Sequence, residues 1–176
     1  MFRRVLCACL VGAVTLVPAA AELNACGDKF LRLGRSSRHN AYQAVNRASI
    51  LVYVPAGVKG GDVKAFESSL KRAGHRPVSV RSVDALAKAL RGQRYDIIIT
   101  GIADVSIVKA ETSAAATEVD VLPVVSKNPK GTGTDAARDY RFVIDVDGPR
   151  LNPLATIDDL MEARLARLRS NAATTQ

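Results

Sequence analysis

The residues closest to a catalytic arrangement lie at the end of a buried apolar run, YDIIITGIAD at 95–104. In α/β proteins, ligands and reacting groups collect beyond the carboxyl ends of parallel strands. This run ends in Thr100 and Gly101, so a hydroxyl and a bare backbone stand where a reactive side chain would act. These two residues predict hydrogen bonding, close backbone approach or a simple turn, and they do not predict covalent chemistry.

Acids near this position do not form a recognisable catalytic or metal-binding set. Asp104 follows Gly101 at a natural helix N-cap, so capping is preferred over a role as a displaced phosphate acceptor. Asp145 and Asp147 alternate along a later apolar stretch, with no histidine or second acidic cluster beside them. We therefore assign no metal ion and no cofactor from the sequence.

Cysteine and histidine offer only one further hypothesis. The chain has two histidines and three cysteines. Cys26 and His39 would have to meet in space to make a thiol and imidazole pair, which the sequence does not establish. His75 follows Gly74 in a helix-to-strand turn and is predicted to be a surface residue. Nucleophile-elbow, Walker-loop and zinc-type cysteine spacings do not occur.

A glycine-rich stretch, VPAGVKGGD, separates the first predicted strand from the first predicted helix. Gly57, Gly60 and Gly61 stand where backbone amides can cradle an anion at a helix start. Their order does not fit G-x-G-x-x-G, so a flexible loop remains the simpler interpretation.

Apolar periodicity supplies the elements that would position these residues. Short buried runs predict strands at 50–54, 77–80, 96–100, 119–126 and 142–146, and helical spacing predicts helices near 62–73, 82–90, 104–112 and 153–169. Alternating strands and helices require right-handed crossovers and a parallel sheet covered on both faces. We expect an α/β, three-layer α/β/α sandwich with five parallel strands in flavodoxin-like order 2-1-3-4-5, and a pocket beyond strands 1, 3 and 4.

The first 21 residues are typical of a secretory signal peptide. Arg3 and Arg4 precede an apolar run that ends in Pro18 and three alanines, an A-x-A-like layout. An uncleaved membrane anchor is the alternative, although the run is short for a span. The remaining organisation is predicted as a basic leader segment at 22–48, the α/β domain at 49–170 and a frayed tail at 171–176.

The leader segment carries a single cysteine and much of the chain's positive charge. LNA before Cys26 resembles a lipobox, which leaves open a lipidated Cys26, a free thiol or an intermolecular disulfide. The net charge is +8. The basic residues of the leader are Lys29, Arg32, Arg35, Arg38 and Arg47. They indicate contact with an anionic membrane surface, contact with an acidic partner, or only solvation. Binding to nucleic acid is not expected for an exported protein.

The order of elements over about 49–170 resembles the receiver domain of bacterial response regulators, and the CGDKFL start resembles that of uncharacterised exported bacterial proteins with such bodies. Receivers close their first strand with two metal-binding acids, and the matching residues here are Val54 and Pro55. The position of the phosphate-accepting aspartate falls on Gly101. Ser126 lies near the switching hydroxyl, and RFVIDV offers no closing lysine. The resemblance therefore implies a degenerate receiver-like fold without aspartyl phosphorylation.

We interpret the chain as an exported, non-enzymatic module that binds an unknown protein or small ligand. Its predicted contact surface combines Thr100, Ser126 and the glycines Gly57, Gly60 and Gly61. The alternatives are a small periplasmic enzyme or redox protein that uses Cys26 or the switch-point cleft, and a lipid-anchored structural component of an envelope complex.

Overall fold

A five-stranded parallel sheet in the order β2-β1-β3-β4-β5 forms the middle layer of the domain. The computed structural model describes residues 42–55, 60–125, 138–147 and 152–174. The strands are β1 (Ser49–Tyr53), β2 (Arg76–Val80), β3 (Ile97–Gly101), β4 (Asp120–Val125) and β5 (Ile144–Asp145). This order confirms the predicted flavodoxin-like topology.

Helices cover both faces of the sheet. They are α1 (Gly60–Arg72), α2 (Val83–Gly92), α3 (Val105–Ala114) and α4 (Pro153–Thr174), and a 3-10 turn (Ile102–Asp104) links β3 to α3. Apolar side chains of α1 and α4 pack on one face, and those of α2 and α3 pack on the other. The predicted three-layer sandwich is therefore confirmed. Within the described part of the chain, no helix is long and apolar enough to cross a membrane.

Strand β1 shows why continuous apolar runs form the sheet. Successive side chains of a strand point to opposite faces. Ile50 and Val52 accordingly enter the core under α1 and α4, while Leu51 and Tyr53 enter the core under α2. A strand covered on both faces needs apolar residues at every position, which the sequence provides.

Helix boundaries follow the predicted capping residues in two cases. The Ser82 hydroxyl accepts a hydrogen bond from the Ala85 amide at 3.2 Å, and Asn152 Oδ1 accepts one from Ala155 at 3.2 Å. Each bond satisfies an amide that the first helical turn leaves without a partner. Helix α4 continues through Thr174, past the predicted end at 169.

Two other capping predictions are wrong. Asp62 lies inside the first turn of α1, which begins at Gly60. Asp104 occupies the N-cap position of α3, but its side chain makes no capping hydrogen bond. A carboxylate in a first turn still complements the helix dipole, which explains why sequence patterns do not separate these positions.

Strand β2 is an outer strand of the sheet and contains a proline. The Arg76 amide donates to Ala48 O at 2.9 Å, and Val80 O accepts from Val54 at 3.0 Å, so both backbones face β1. By alternation, Pro77 and Ser79 direct their backbone groups outward. Pro77 has no amide proton, and an outward-facing position on an edge strand is one where no amide proton is needed.

Candidate functional site

The carboxyl edge of the sheet is the position at which this topology usually binds ligands. Strand β1 reaches that edge through Val54, which is fully buried and donates its amide hydrogen to Val80. Pro55 follows and is partly buried. The end of β1 therefore supplies apolar surface and no carboxylate.

Strand β3 brings a buried hydroxyl to the same edge. Thr100 is fully buried, and its Oγ1 has no hydrogen-bond partner within the described residues. In the sheet register Thr100 stands opposite Pro123 of β4. A buried hydroxyl without a partner costs free energy, because burial strips away the water that would otherwise bond to it. Within the described residues, Thr100 is therefore a buried polar group near this edge that makes no hydrogen bond, as is Ser79 near the end of β2.

Because Gly101 has no side chain, space remains beside the carboxylate of Asp104. The φ of Gly101, −64°, is ordinary for any residue, so backbone conformation does not require glycine. A Cβ at Gly101 would lie 3.3 Å from Asp104 Oδ2, tighter than most real Cβ contacts. The missing side chain therefore leaves room at the position that resembles the receiver phosphoacceptor.

The negative charge of Asp104 affects the protonation of Tyr53, the last residue of β1. Burial raises the pKa of the Tyr53 hydroxyl, and the negative charge of Asp104 raises it further. The hydroxyl therefore stays protonated at neutral pH and remains a hydrogen-bond donor.

The described part of this edge, formed by Tyr53, Thr100, Gly101 and Asp104, carries two buried hydroxyl groups and one acidic side chain. Nucleophilic or phosphoryl-transfer chemistry needs an activated nucleophile with a base or a metal ion. Among residues 42–55, 60–125, 138–147 and 152–174, no group of three or more His, Cys, Asp or Glu is placed to hold a metal ion.

The remaining predicted contact residues divide into described and undescribed positions. Gly61 lies near the start of α1 with open space where a Cβ would stand, and Gly60 begins that helix. The following predicted residues lie outside the described residues: Cys26, Lys29, Arg32, Arg35, Arg38, Gly57 and Ser126.

Arg47 is the basic leader residue that the structure describes. It precedes β1 and lies at the amino edge of the sheet, opposite the carboxyl edge. Its Nε is 3.5 Å from the position a Cβ would take on Gly74, in the turn before β2. Arg47 therefore does not join the carboxyl-edge residues.

The prediction that His75 lies on the surface is wrong. The side chain is buried, and its Nδ1 accepts a hydrogen bond from the Ala48 amide at 3.2 Å. The first residue of β2, Arg76, is exposed, so the sequence around His75 contains no local signal of its burial.

Ion pairs at the amino edge were also missed from the sequence. Arg164 of α4 donates to Asp120 Oδ2 at 3.0 Å and to Glu118 O at 3.1 Å, and its Nε lies 4.0 Å from Asp96. Arg167 donates to Asp120 at 2.7 Å. These pairs join residues far apart in the sequence, so no local pattern predicts them.

Two cavities lie away from the carboxyl edge. One of about 760 Å³ is bordered by the α2–β3 and α3–β4 connections and by Arg164 and Leu168 of α4. Another of about 450 Å³ lies between Tyr42 and the acids Asp158, Asp159 and Glu162. Both have the volume of a small-molecule site, but volume alone indicates no ligand.

Comparison of the chain with protein-family models, with curated proteins and with solved structures found no match.

Proposed function

We propose that this chain is an exported, non-catalytic, receiver-like module that binds a protein or a small ligand at the carboxyl edge of its sheet. The flavodoxin-like strand order and the helices on both faces support a receiver-like body. The end of β1 holds Val54 and Pro55 where a receiver would hold acids. Aspartyl phosphorylation is therefore not part of the proposed function.

The observation that carries this proposal is the environment of Gly101. The position that resembles a phosphoacceptor has no side chain, and Asp104 Oδ2 lies 3.3 Å from where one would start. A glycine there lets another backbone or a ligand approach closely. Thr100, whose hydroxyl has no hydrogen-bond partner among the described residues, lies directly before it.

The proposed contact surface joins Thr100, Gly101 and Asp104 to the glycine-rich loop and Ser126. Asp104 favours a ligand that presents hydrogen-bond donors, because an ionised carboxylate is a pure acceptor. A protein partner would supply such donors through backbone amides or basic side chains.

The proposal also includes export and a membrane-proximal location. Its support is the signal-peptide layout of residues 1–21 and the basic residues that follow Cys26. Basic residues near an anionic membrane gain electrostatic attraction at its surface. Lipidation of Cys26 remains a hypothesis that intact mass resolves.

Capture from the native cell envelope tests the binding surface. An epitope-tagged full chain is cross-linked in cells, and co-purified molecules are quantified for the parent chain and for Gly101→Leu. We expect Gly101→Leu to lose the captured partner, because its side chain fills the space beside Asp104. Gly92→Leu is the matched control, because nothing lies within 4 Å of a Cβ at that position.

Unchanged capture by Gly101→Leu would contradict the proposed surface. Thermal unfolding of both variants accompanies the experiment, so that a folding defect is distinguished from a lost contact. Loss of capture by both variants with intact folding would also count against the carboxyl edge.

Intact-mass spectrometry of the same envelope-derived chain tests processing and chemistry together. We expect a chain that starts at Glu22 or at a lipid-modified Cys26, and no added phosphoryl group after incubation with acetyl phosphate and Mg²⁺. A phosphoryl adduct that Asp104→Asn abolishes would overturn the non-catalytic assignment. A full-length, unprocessed chain would overturn export by a cleaved signal peptide.

A further inference from the structure

His75 fastens the segment before β1, residues 42–48, to the turn that follows α1. Its Nδ1 accepts a hydrogen bond from the Ala48 amide at 3.2 Å. The Ala48 carbonyl in turn accepts from Arg76 at 2.9 Å, and the His75 amide donates to Leu70 O at 3.0 Å. We call residues 42–48 the entry segment, because they lead from the leader into the sheet.

Three further contacts hold the entry segment. The Ala44 amide donates to Ala73 O at 2.8 Å. The Tyr42 hydroxyl donates to Asp158 Oδ2 of α4, and the Val45 amide donates to the same oxygen at 3.3 Å. Because the attachment uses few bonds, the loss of one of them weakens a large share of it.

The hydrogen bond at Nδ1 fixes the tautomer of His75. An imidazole nitrogen that accepts carries no proton, so the neutral ring carries its proton on Nε2. A second proton, taken from solvent, can bind only the Nδ1 lone pair. Nδ1 then becomes a donor that faces the Ala48 amide, also a donor, and the hydrogen bond between them breaks.

The surroundings of His75 oppose its positive charge. Burial lowers the pKa of His75 below its usual value of 6.5, and the charge of Asp158 on α4 acts in the opposite direction with a smaller effect. Arg47 lies against Gly74 in the adjoining turn and adds a further cation. His75 Nε2 and Asp158 Oδ1 are both buried with no hydrogen-bond partner within the described residues.

We propose that protonation of His75 releases the entry segment from the domain. The ring is neutral and accepts from Ala48 at neutral pH, and it is charged and repels that amide in acid. The attachment of residues 42–48 to the domain therefore depends on pH. This inference does not rest on the proposed binding function, because none of its residues lies at the carboxyl edge.

Hydrogen exchange of the full chain at about pH 7.5 and about pH 5 tests the proposal. After correction for intrinsic exchange, we expect protection of the Ala44 and Ala48 amides to fall by about tenfold or more. The pKa of His75 returns to its usual value of 6.5 when the segment is released, and each pH unit below that value then favours release about tenfold. Protection of the Ile98 amide in the centre of the sheet should stay the same.

Two single substitutions provide the comparison. His75→Gln cannot titrate, so protection of Ala44 and Ala48 should no longer depend on pH. His39→Gln removes the other histidine of the chain and should keep the parental response. An unchanged response in His75→Gln would overturn the proposal.

Nuclear magnetic resonance of the parental chain gives an answer even if His75→Gln does not fold. We expect the His75 ring and the Ala48 amide to titrate with one shared midpoint. A ring that titrates without a change in Ala48 protection would overturn the proposal. Equal loss of protection at Ile98 would also overturn it, because that result describes acid unfolding of the whole domain.

Discussion

The side chain of Arg164 makes several polar contacts with residues that are distant from it in the sequence. Its guanidinium is largely buried, and it bonds to Asp120 and to the Glu118 carbonyl. The side chain of Asp96, 4.0 Å from Arg164 Nε, also accepts from the Ser49 amide at 2.7 Å. The network therefore joins α4 to the first residues of β1, β3 and β4.

Removal of the Arg164 guanidinium should destabilise the domain. We expect Arg164→Ala to lower the free energy of unfolding by about 2 kcal/mol, below the usual cost of breaking a fully buried pair because the acids are partly exposed and Asp120 keeps Arg167. Arg167→Ala is the matched control, and we expect a loss of about 0.5 kcal/mol, since this side chain is 54% exposed. Urea unfolding measures both; equal effects would contradict this assignment.

For single residues, the sequence predicted which positions belong to a strand. It did not predict contacts between residues that are distant in the sequence. Strand β1 ends at Tyr53 and β3 ends at Gly101, each within one residue of the predicted end, because the apolar runs mark those ends approximately. The burial of His75 depends on Ala48, and that of Arg164 on Asp120, 44 residues away in the sequence. Periodicity contains no information about such pairs.

Two helices end in the same way but with different residues. After α1, Gly74 has a φ of +97°; after α3, Ala116 has a φ of +48°. In each case two backbone bonds close the helix, such as His75 to Leu70 O at 3.0 Å and Thr117 to Thr112 O at 3.2 Å. This is the Schellman pattern, which favours glycine because the left-handed conformation crowds a Cβ.

Exchanging the residue types at these two positions should have opposite effects. We expect Gly74→Ala to destabilise the domain by about 1–2 kcal/mol, the cost of a left-handed alanine. Ala116→Gly should stabilise it by about 0.5–1 kcal/mol, because relief of that cost exceeds the extra chain entropy of glycine. Thermal and urea unfolding give both values. A change of the same sign at both positions would contradict the shared geometry.

For the secondary-structure elements, the sequence predicted the type and the order of the helices and strands. It predicted their first and last residues only in part. Ser82 and Asn152 cap their helices as predicted, because a polar residue directly precedes an apolar stripe in each case. Asp62 and Asp104 fit the same local rule but make no caps, since α1 begins earlier and a 3-10 turn intervenes before α3. Strand β5 has two residues, shorter than the predicted 142–146.

For the whole molecule, strand order followed from connection rules, while the candidate site did not follow from any motif. Right-handed crossovers between alternating strands and helices leave few arrangements of five parallel strands. The strand order was thereby predicted correctly. In the part of the chain that the structure describes, the Thr100 hydroxyl makes no hydrogen bond, and this depends on packing that the sequence pattern does not encode.

The proline of β2 has a consequence for how copies of this protein behave when crowded together. An exposed strand edge is a template for pairing with another chain, and natural sheets need a device against aggregation. Of the two β2 residues whose backbones face outward, Pro77 has no amide to offer, which leaves only Ser79 as a donor. At the opposite edge, β5 has only two residues. Neither edge supports a continuous intermolecular ladder, so edge-to-edge aggregation is disfavoured at both sides of the sheet.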